Sequence, residues 1–124
     1  MKHLLTIALV FLLSSANICE EYKATVLSVY DGDTITCNIE VGFDIYKLEK
    51  VRLSGINAPE VRGEEREEGL KSRDALRELI SDKQLRLVNE GTGKYGRTVA
   101  TLYLDTINVC DWMVRNGYAE YHSY

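Results

Sequence analysis

The patterning of this chain predicts an α+β fold: a small β-barrel or curled sheet with helices packed against it. Three observations carry that expectation. From Tyr22 onward most segments alternate apolar and polar residues, the period of strands with one covered face. Two stretches switch to helical spacing, and glycine or aspartate marks the changes. The resulting order is strands, helix, strands, helix.

Taken in order, YKATVLSVYDGDTITCNIEV puts Ala24, Val26 and Ser28 on one parity and Ile35, Cys37 and Ile39 on another. The tight DGD turn between them predicts an antiparallel hairpin. FDIYKLEKVRLSGI reads as a third strand, with Val51 and Leu53 facing one way and Arg52 the other. Between Gly69 and Asp82 the residues Ala75, Leu76, Leu79 and Ile80 recur at helical spacing. Ser72 offers a cap and Glu64 to Glu68 an irregular lead-in. QLRLV returns to alternation, GTGKYGR is a glycine-punctuated loop, and TVATLYL is another strand. In NVCDWMVRNG, Val109, Trp112 and Met113 fall at helical spacing and Gly117 stops the helix.

At 124 residues the chain is the size of one domain, with a 45% hydrophobic and 27% charged composition that excludes disorder. Residues 1–16, MKHLLTIALVFLLSSA, read as a secretory signal peptide: a basic start at Lys2, an apolar run from Leu4 to Leu13, and small residues before the cut. The alternatives are an uncleaved anchor or a buried first helix, although a membrane crossing needs about 20 apolar residues. Ile18 before Cys19 argues against a lipoprotein. The expectation is therefore an exported protein, extracellular or periplasmic, with its domain over residues 22–124 and no stable membrane insertion.

Without Lys2 the remainder holds 14 basic and 19 acidic residues, a net charge of −5. That sign excludes a strongly electrostatic, non-specific nucleic-acid binder but not a small basic cleft. Cys19, Cys37 and Cys110 are odd in number, so one thiol stays unpaired in a monomer. Cys37 and Cys110 lie in apolar-patterned segments and read as buried thiols. His3 and His122 stand apart, so neither zinc spacing nor histidine-based catalysis is indicated.

Three clusters bear chemistry. YDGDT offers Asp31 and Asp33 as oxygen ligands for a hard cation. RLSGINAPE offers Arg52, the Asn57 amide, backbone carbonyls and Glu60. KYGR offers Lys94, Tyr95 and Arg97. Two arginines, a glutamate and acidic metal ligands are what phosphodiester hydrolysis calls for: a carboxylate to orient or deprotonate water, and cations to neutralise the pentacoordinate phosphate. Each piece also has an ordinary structural alternative, because DGDT is a common hairpin turn and Pro59 serves to fix a turn before a helix.

With VLSVYDGDTI, VRLSGINAPE, KYGRTVATLY and VCDWMVRNGYAEY in this order, the chain resembles the staphylococcal nuclease-like family, or thermonucleases, from about Tyr22 to Tyr121. The resemblance implies a five-stranded oligonucleotide-binding barrel with packed helices. It also implies a secreted, calcium-dependent phosphodiesterase that cuts DNA and RNA at the 5′ P–O bond to leave 3′ phosphates. By position, Asp33 matches the family's metal-ligating aspartate and Asp31 an outer-shell aspartate. Arg52 and Arg97 match the catalytic arginines, and Glu60 the glutamate that activates water. Lys94 and Tyr95 match residues of the nucleotide pocket. Asn57 stands where the calcium-binding prototype has aspartate, and Ala58 replaces the next threonine, whose backbone carbonyl serves as a ligand. The expected metal set is thus Asp33, Asn57 and Ala58, with calcium held more weakly than an aspartate at position 57 would hold it.

The prototype continues into a third helix beyond the point that corresponds to Tyr124. Tyr118, Tyr121 and Tyr124 recur every three residues, either to stack on bases or to cover the barrel. The partners expected are DNA or RNA as substrate, with the protein acting as a monomer. The alternative is a non-catalytic nucleic-acid- or protein-binding module on the same barrel, a reading that Asn57 and the acidic balance favour and the Arg52, Glu60, Arg97 trio opposes.

Overall fold

In the computed structural model, residues 20–123 are described. The segment read as a signal peptide, Cys19 and Tyr124 lie outside them. Strands β1 (Glu21–Asp31) and β2 (Thr34–Gly42) form the hairpin expected from DGD, and β3 (Ile45–Leu53) pairs antiparallel with β2. After the short β4 (Ile56–Asn57) and a 3-10 turn at Gly63–Glu65 comes helix α1 (Arg66–Ile80). β5 (Gln84–Thr92) pairs with β1, and β6 (Thr98–Leu104) with β5. The short β7 (Ile107–Asn108) leads into α2 (Val109–Arg115), and β8 (Glu120–Tyr121) follows.

A parallel pairing of β3 with β6 closes the sheet into a five-stranded barrel: Val51 lies beside Thr98, Arg52 beside Val99 and Leu53 beside Ala100. This is the oligonucleotide-binding barrel that the resemblance implied. The closure fixes the site, because it brings Arg52 level with the start of the strand that Arg97 precedes. A second small sheet pins the turn after β3, with Asn57 paired to Glu120 and Ile56 to Tyr121. The His122 N–H adds a bond to the Gly55 carbonyl at 2.8 Å.

Inside the barrel Ile35, Cys37, Val51, Leu53, Leu87, Ala100 and Leu102 are nearly or wholly inaccessible, and Leu76, Ile80, Val109 and Met113 from the helices complete the core. α1 buries Gly69, Ser72, Leu76 and Ile80, a stripe at helical spacing. Ser72 is therefore no cap. It sits within the helix, fully buried, and donates to the Tyr118 carbonyl at 2.8 Å. α2 does start at a cap, since the Asn108 side chain accepts from the Asp111 N–H at 3.1 Å.

Ser28 departs from the expected parity. A register shift between Val26 and Ser28 leaves Leu27 and Ser28 exposed and turns Val29 inward. Cys37 and Cys110 are free and buried, as their apolar settings suggested. Burial pushes their thiols up, to about 12 and about 11 respectively. Among the described residues no helix is long and apolar enough to cross a membrane.

Candidate active site

The two acidic turns meet in space. The Asp33 N–H donates to Asp31 Oδ1 at 3.0 Å, an Asx-type closure of the hairpin. Asp33 Oδ1 accepts from the Thr34 hydroxyl at 3.0 Å, and Oδ2 accepts from the Ala58 N–H at 2.7 Å, across the gap between the turns. Gly32 makes the approach feasible. A Cβ there would overlap the Ser72 hydroxyl and lie 2.7 Å from the Ala58 Cβ.

Arg52 reaches the same point from the outer face of β3. Its Nη2 donates to Asn57 Oδ1 at 3.1 Å and lies 3.4 Å from Asp33 Oδ2, while Nη1 donates to the Leu53 carbonyl at 3.1 Å. The Arg52 and Asp33 side chains are only 12% and 8% exposed, so this ion pair is largely withdrawn from water and held by added hydrogen bonds. Asp31 lies deeper. Burial, followed by the hydrogen bond and charge of Asp33 and a smaller repulsion from Glu60, raises its carboxyl to about 7.

Glu60 stands exposed at the rim on a turn fixed from two sides. Its N–H donates to Glu65 Oε2 at 2.9 Å. Gly69, in the second turn of α1, lies so close behind it that a Cβ would overlap the Glu60 carbonyl and sit 2.8 Å from the Val61 nitrogen. Opposite, the 3-10 turn at Lys94–Gly96 folds back on itself, with the Gly93 N–H donating to the Arg97 carbonyl at 2.8 Å. At its tip Tyr95 holds a left-handed φ of 61° and is 94% exposed.

These walls enclose a cleft of about 580 Å³ that brings Asp31, Asp33, Arg52, Asn57, Glu60, Tyr95 and Arg97 together, joined by Tyr30, Thr34 and Lys50. A neighbouring cavity of about 610 Å³ shares Arg52 and Arg97 and includes Lys94. Asp31, Asp33 and Glu60 line the first cavity, whereas Glu90 is the one carboxylate that lines the second. Ala58 meets Asp33 through its N–H. Tyr118 and Tyr121 are engaged within the molecule: the first stacks on Trp112 with ring centroids 6.0 Å apart, and the second donates its hydroxyl to Asp111 at 3.0 Å. Sequence patterning did not single out Tyr30, Lys50, Glu65 or Gly69. Gly69 stood only as the boundary of the helical pattern, and the structure places it inside α1.

Among the described residues no group of three or more His, Cys, Asp or Glu side chains is gathered to hold a metal. The donor set is nonetheless suitable for a hard cation. Asp33 Oδ2 and Asn57 Oδ1 converge on one positively charged nitrogen, which shows that the two oxygens can face a common cation. With one formal charge between them, they suit an ion whose remaining ligands come from water or substrate.

Residues 50–124 match the family described as Staphylococcal nuclease homologue. The chain belongs to that family. It is also 37% identical over 119 residues to an uncharacterized endonuclease of Haemophilus influenzae, covering 95% of this chain and 63% of that protein. Two probable staphylococcal-like nucleases of Oryza sativa subsp. japonica are each 31% identical over 70 residues, 56% of this chain and 18% of theirs. The chain thus spans less than two thirds of the length of these relatives.

Proposed function

We propose that the chain is an exported, metal-dependent endonuclease that hydrolyses DNA, RNA or both at the 5′ P–O bond and leaves 3′ phosphates. One observation carries this reading: Arg52, Arg97 and Glu60 line a single cleft beside Asp33 and Asn57. Family membership supports nucleic acid as the substrate. Export rests on residues 1–16, which lie outside the described residues.

In this reading Arg52 on β3 and Arg97 just before β6 bind the non-bridging oxygens of the scissile phosphate and stabilise the charge that grows there. Glu60, at the solvent-exposed rim, orients a water and takes its proton as the water oxygen bonds to phosphorus in line with the departing 5′ oxygen. The P–O5′ bond breaks, and the leaving oxygen gains a proton to become the 5′ hydroxyl of the product. Lys94 and Tyr95 hold the neighbouring nucleotide. Asp33, Asn57 and the Ala58 backbone would hold a divalent ion, calcium in this proposal and weakly bound because Asn57 is uncharged. Such an ion supplies Lewis-acid charge neutralisation at the phosphate.

The test is plasmid nicking with and without millimolar calcium, beside Glu60→Gln and Arg97→Ala. Activity that requires the ion and is lost in both folded variants supports the proposal. Asn57 and the acidic balance of the chain favour a second reading, a binding module. Oligonucleotide binding without cleavage under any divalent ion would select it.

A further inference from the structure

Four of the described tyrosines are occupied within the molecule. Tyr22 bonds Glu20 at 3.4 Å, Tyr103 lies under the Arg86 guanidinium at 4.2 Å, and Tyr118 and Tyr121 are engaged with Trp112 and Asp111. Tyr30, Tyr46 and Tyr95 make no such contact among the described residues, and two of these three, Tyr30 and Tyr95, line the cleft that holds the carboxylates and arginines. Tyr30 is 50% exposed, so half of its surface stays in contact with water beside the site. Lys50 lines the same cleft. Lys47 is tied to Glu49 at 2.7 Å, whereas Lys50 has no carboxylate partner among the described residues.

Lys50 and Arg52 are two apart on β3 and share its outer face, separated by about 6.8 Å of strand. That is the reach from one phosphate to its neighbour. An aromatic face at the mouth of a cleft that carries Lys50, Arg52 and Arg97 gains apolar contact by stacking on a base. A base within a duplex already has both faces covered, so only an unpaired base can be taken.

We propose that Tyr30 and Lys50 form a nucleotide subsite beside the scissile phosphate, Tyr30 stacking on an unpaired base and Lys50 pairing with its phosphate. The site thereby selects single-stranded nucleic acid. This rests on the nuclease reading for its role but is tested by binding alone.

The experiment measures fluorescence anisotropy of a labelled short oligothymidylate with the full chain carrying Glu60→Gln, in calcium, so that turnover does not intervene. Adding Tyr30→Ala weakens Kd about fivefold or more, the range of one lost stacking contact, and Tyr30→Phe leaves it within about twofold because the ring is kept. A base-free strand of equal length binds the parent and Tyr30→Ala equally. Lys50→Gln lowers the salt dependence by about 0.7 in the log–log slope, one phosphate contact on a single strand. Equal oligothymidylate affinity for the parent and Tyr30→Ala overturns the subsite. So does a Tyr30→Ala loss that persists on the base-free strand. Failure of the unsubstituted chain to cleave single-stranded DNA and RNA as well as plasmid would refute the nuclease reading, while the binding comparison would still decide the subsite.

Discussion

The two walls of the cleft are built differently. On one side Asp31, Asp33, Arg52 and Asn57 are joined by hydrogen bonds that cross between turns, Gly32 lets Ser72 of α1 close on the hairpin turn, and Gly69 lets α1 press against the Glu60 backbone. On the other, Lys94 and Tyr95 project from a short turn held mainly by its own backbone, with Tyr95 almost fully exposed. In the proposed mechanism the Arg52 charge sits on the fixed wall, where its orientation is set by folding. Arg97 instead closes the turn that carries Lys94 and Tyr95 on the open wall, where adaptation to a ligand costs little.

That contrast can be broken by substitution. Arg52→Ala is expected to affect cleavage and stability together. It removes a phosphate ligand and lowers cleavage by about 10²–10³-fold. It also leaves Asp33 and Asn57 short of a buried partner, at about 1–3 kcal/mol of stability. Kinetics beside chemical denaturation measures both, and an unchanged denaturation midpoint would show the fixed wall to be less coupled to folding than its bonds indicate.

Gly69→Ala comes next. Its methyl forces α1 away from the Glu60 backbone, which is expected to cost about 1–3 kcal/mol and to lower turnover more than it raises KM. Tyr95→Ala, on the open wall, weakens oligonucleotide binding about fivefold or more and leaves the melting temperature unchanged. A large loss of stability there would erase the distinction between the walls.

A further effect concerns pH. Asp31 holds its proton up to about 7 in the folded chain against an ordinary value of 3.8. Between those values the folded state binds more proton than the unfolded state, so this group's contribution to stability declines as pH rises through the interval and levels off above it. Asp31→Asn, melted in chelator across pH 4 to 8, should lose that component of the decline. A variant with the same pH dependence as the parent would show that Asp31 does not titrate in this interval.

Local chemistry made much of this legible in the sequence. The DGD hairpin, the strand carrying Arg52 and both helices follow from alternation, spacing and turn residues. The residue types of Asp33, Arg52, Glu60 and Arg97 left ordinary structural readings open, and the order of the four motifs, through the family resemblance, selected the set. What was not legible is non-local. The parallel β3–β6 pairing joins residues far apart in sequence, and nothing in TVATLYL announces which edge it meets. The shift at Leu27 has no glycine or proline to mark it, and it reverses the parity that placed Ser28 inward. Ser72 looked like a cap because serine favours helix starts, yet the lead-in extends α1 back to Arg66 and leaves Ser72 where the Tyr118 carbonyl needs a donor. Tyr30 and Lys50 gave no signal because an exposed strand residue becomes notable only when the cleft beside it is known.

The most direct test is cleavage of supercoiled plasmid by the folded chain and by Glu60→Gln, run in parallel with calcium, magnesium, manganese and chelator. Nicking is expected to need a divalent ion and to fall about 10²–10⁴-fold without the Glu60 carboxylate. Undiminished nicking by Glu60→Gln, or equal rates in chelator, would contradict a metal-assisted hydrolysis driven by Glu60.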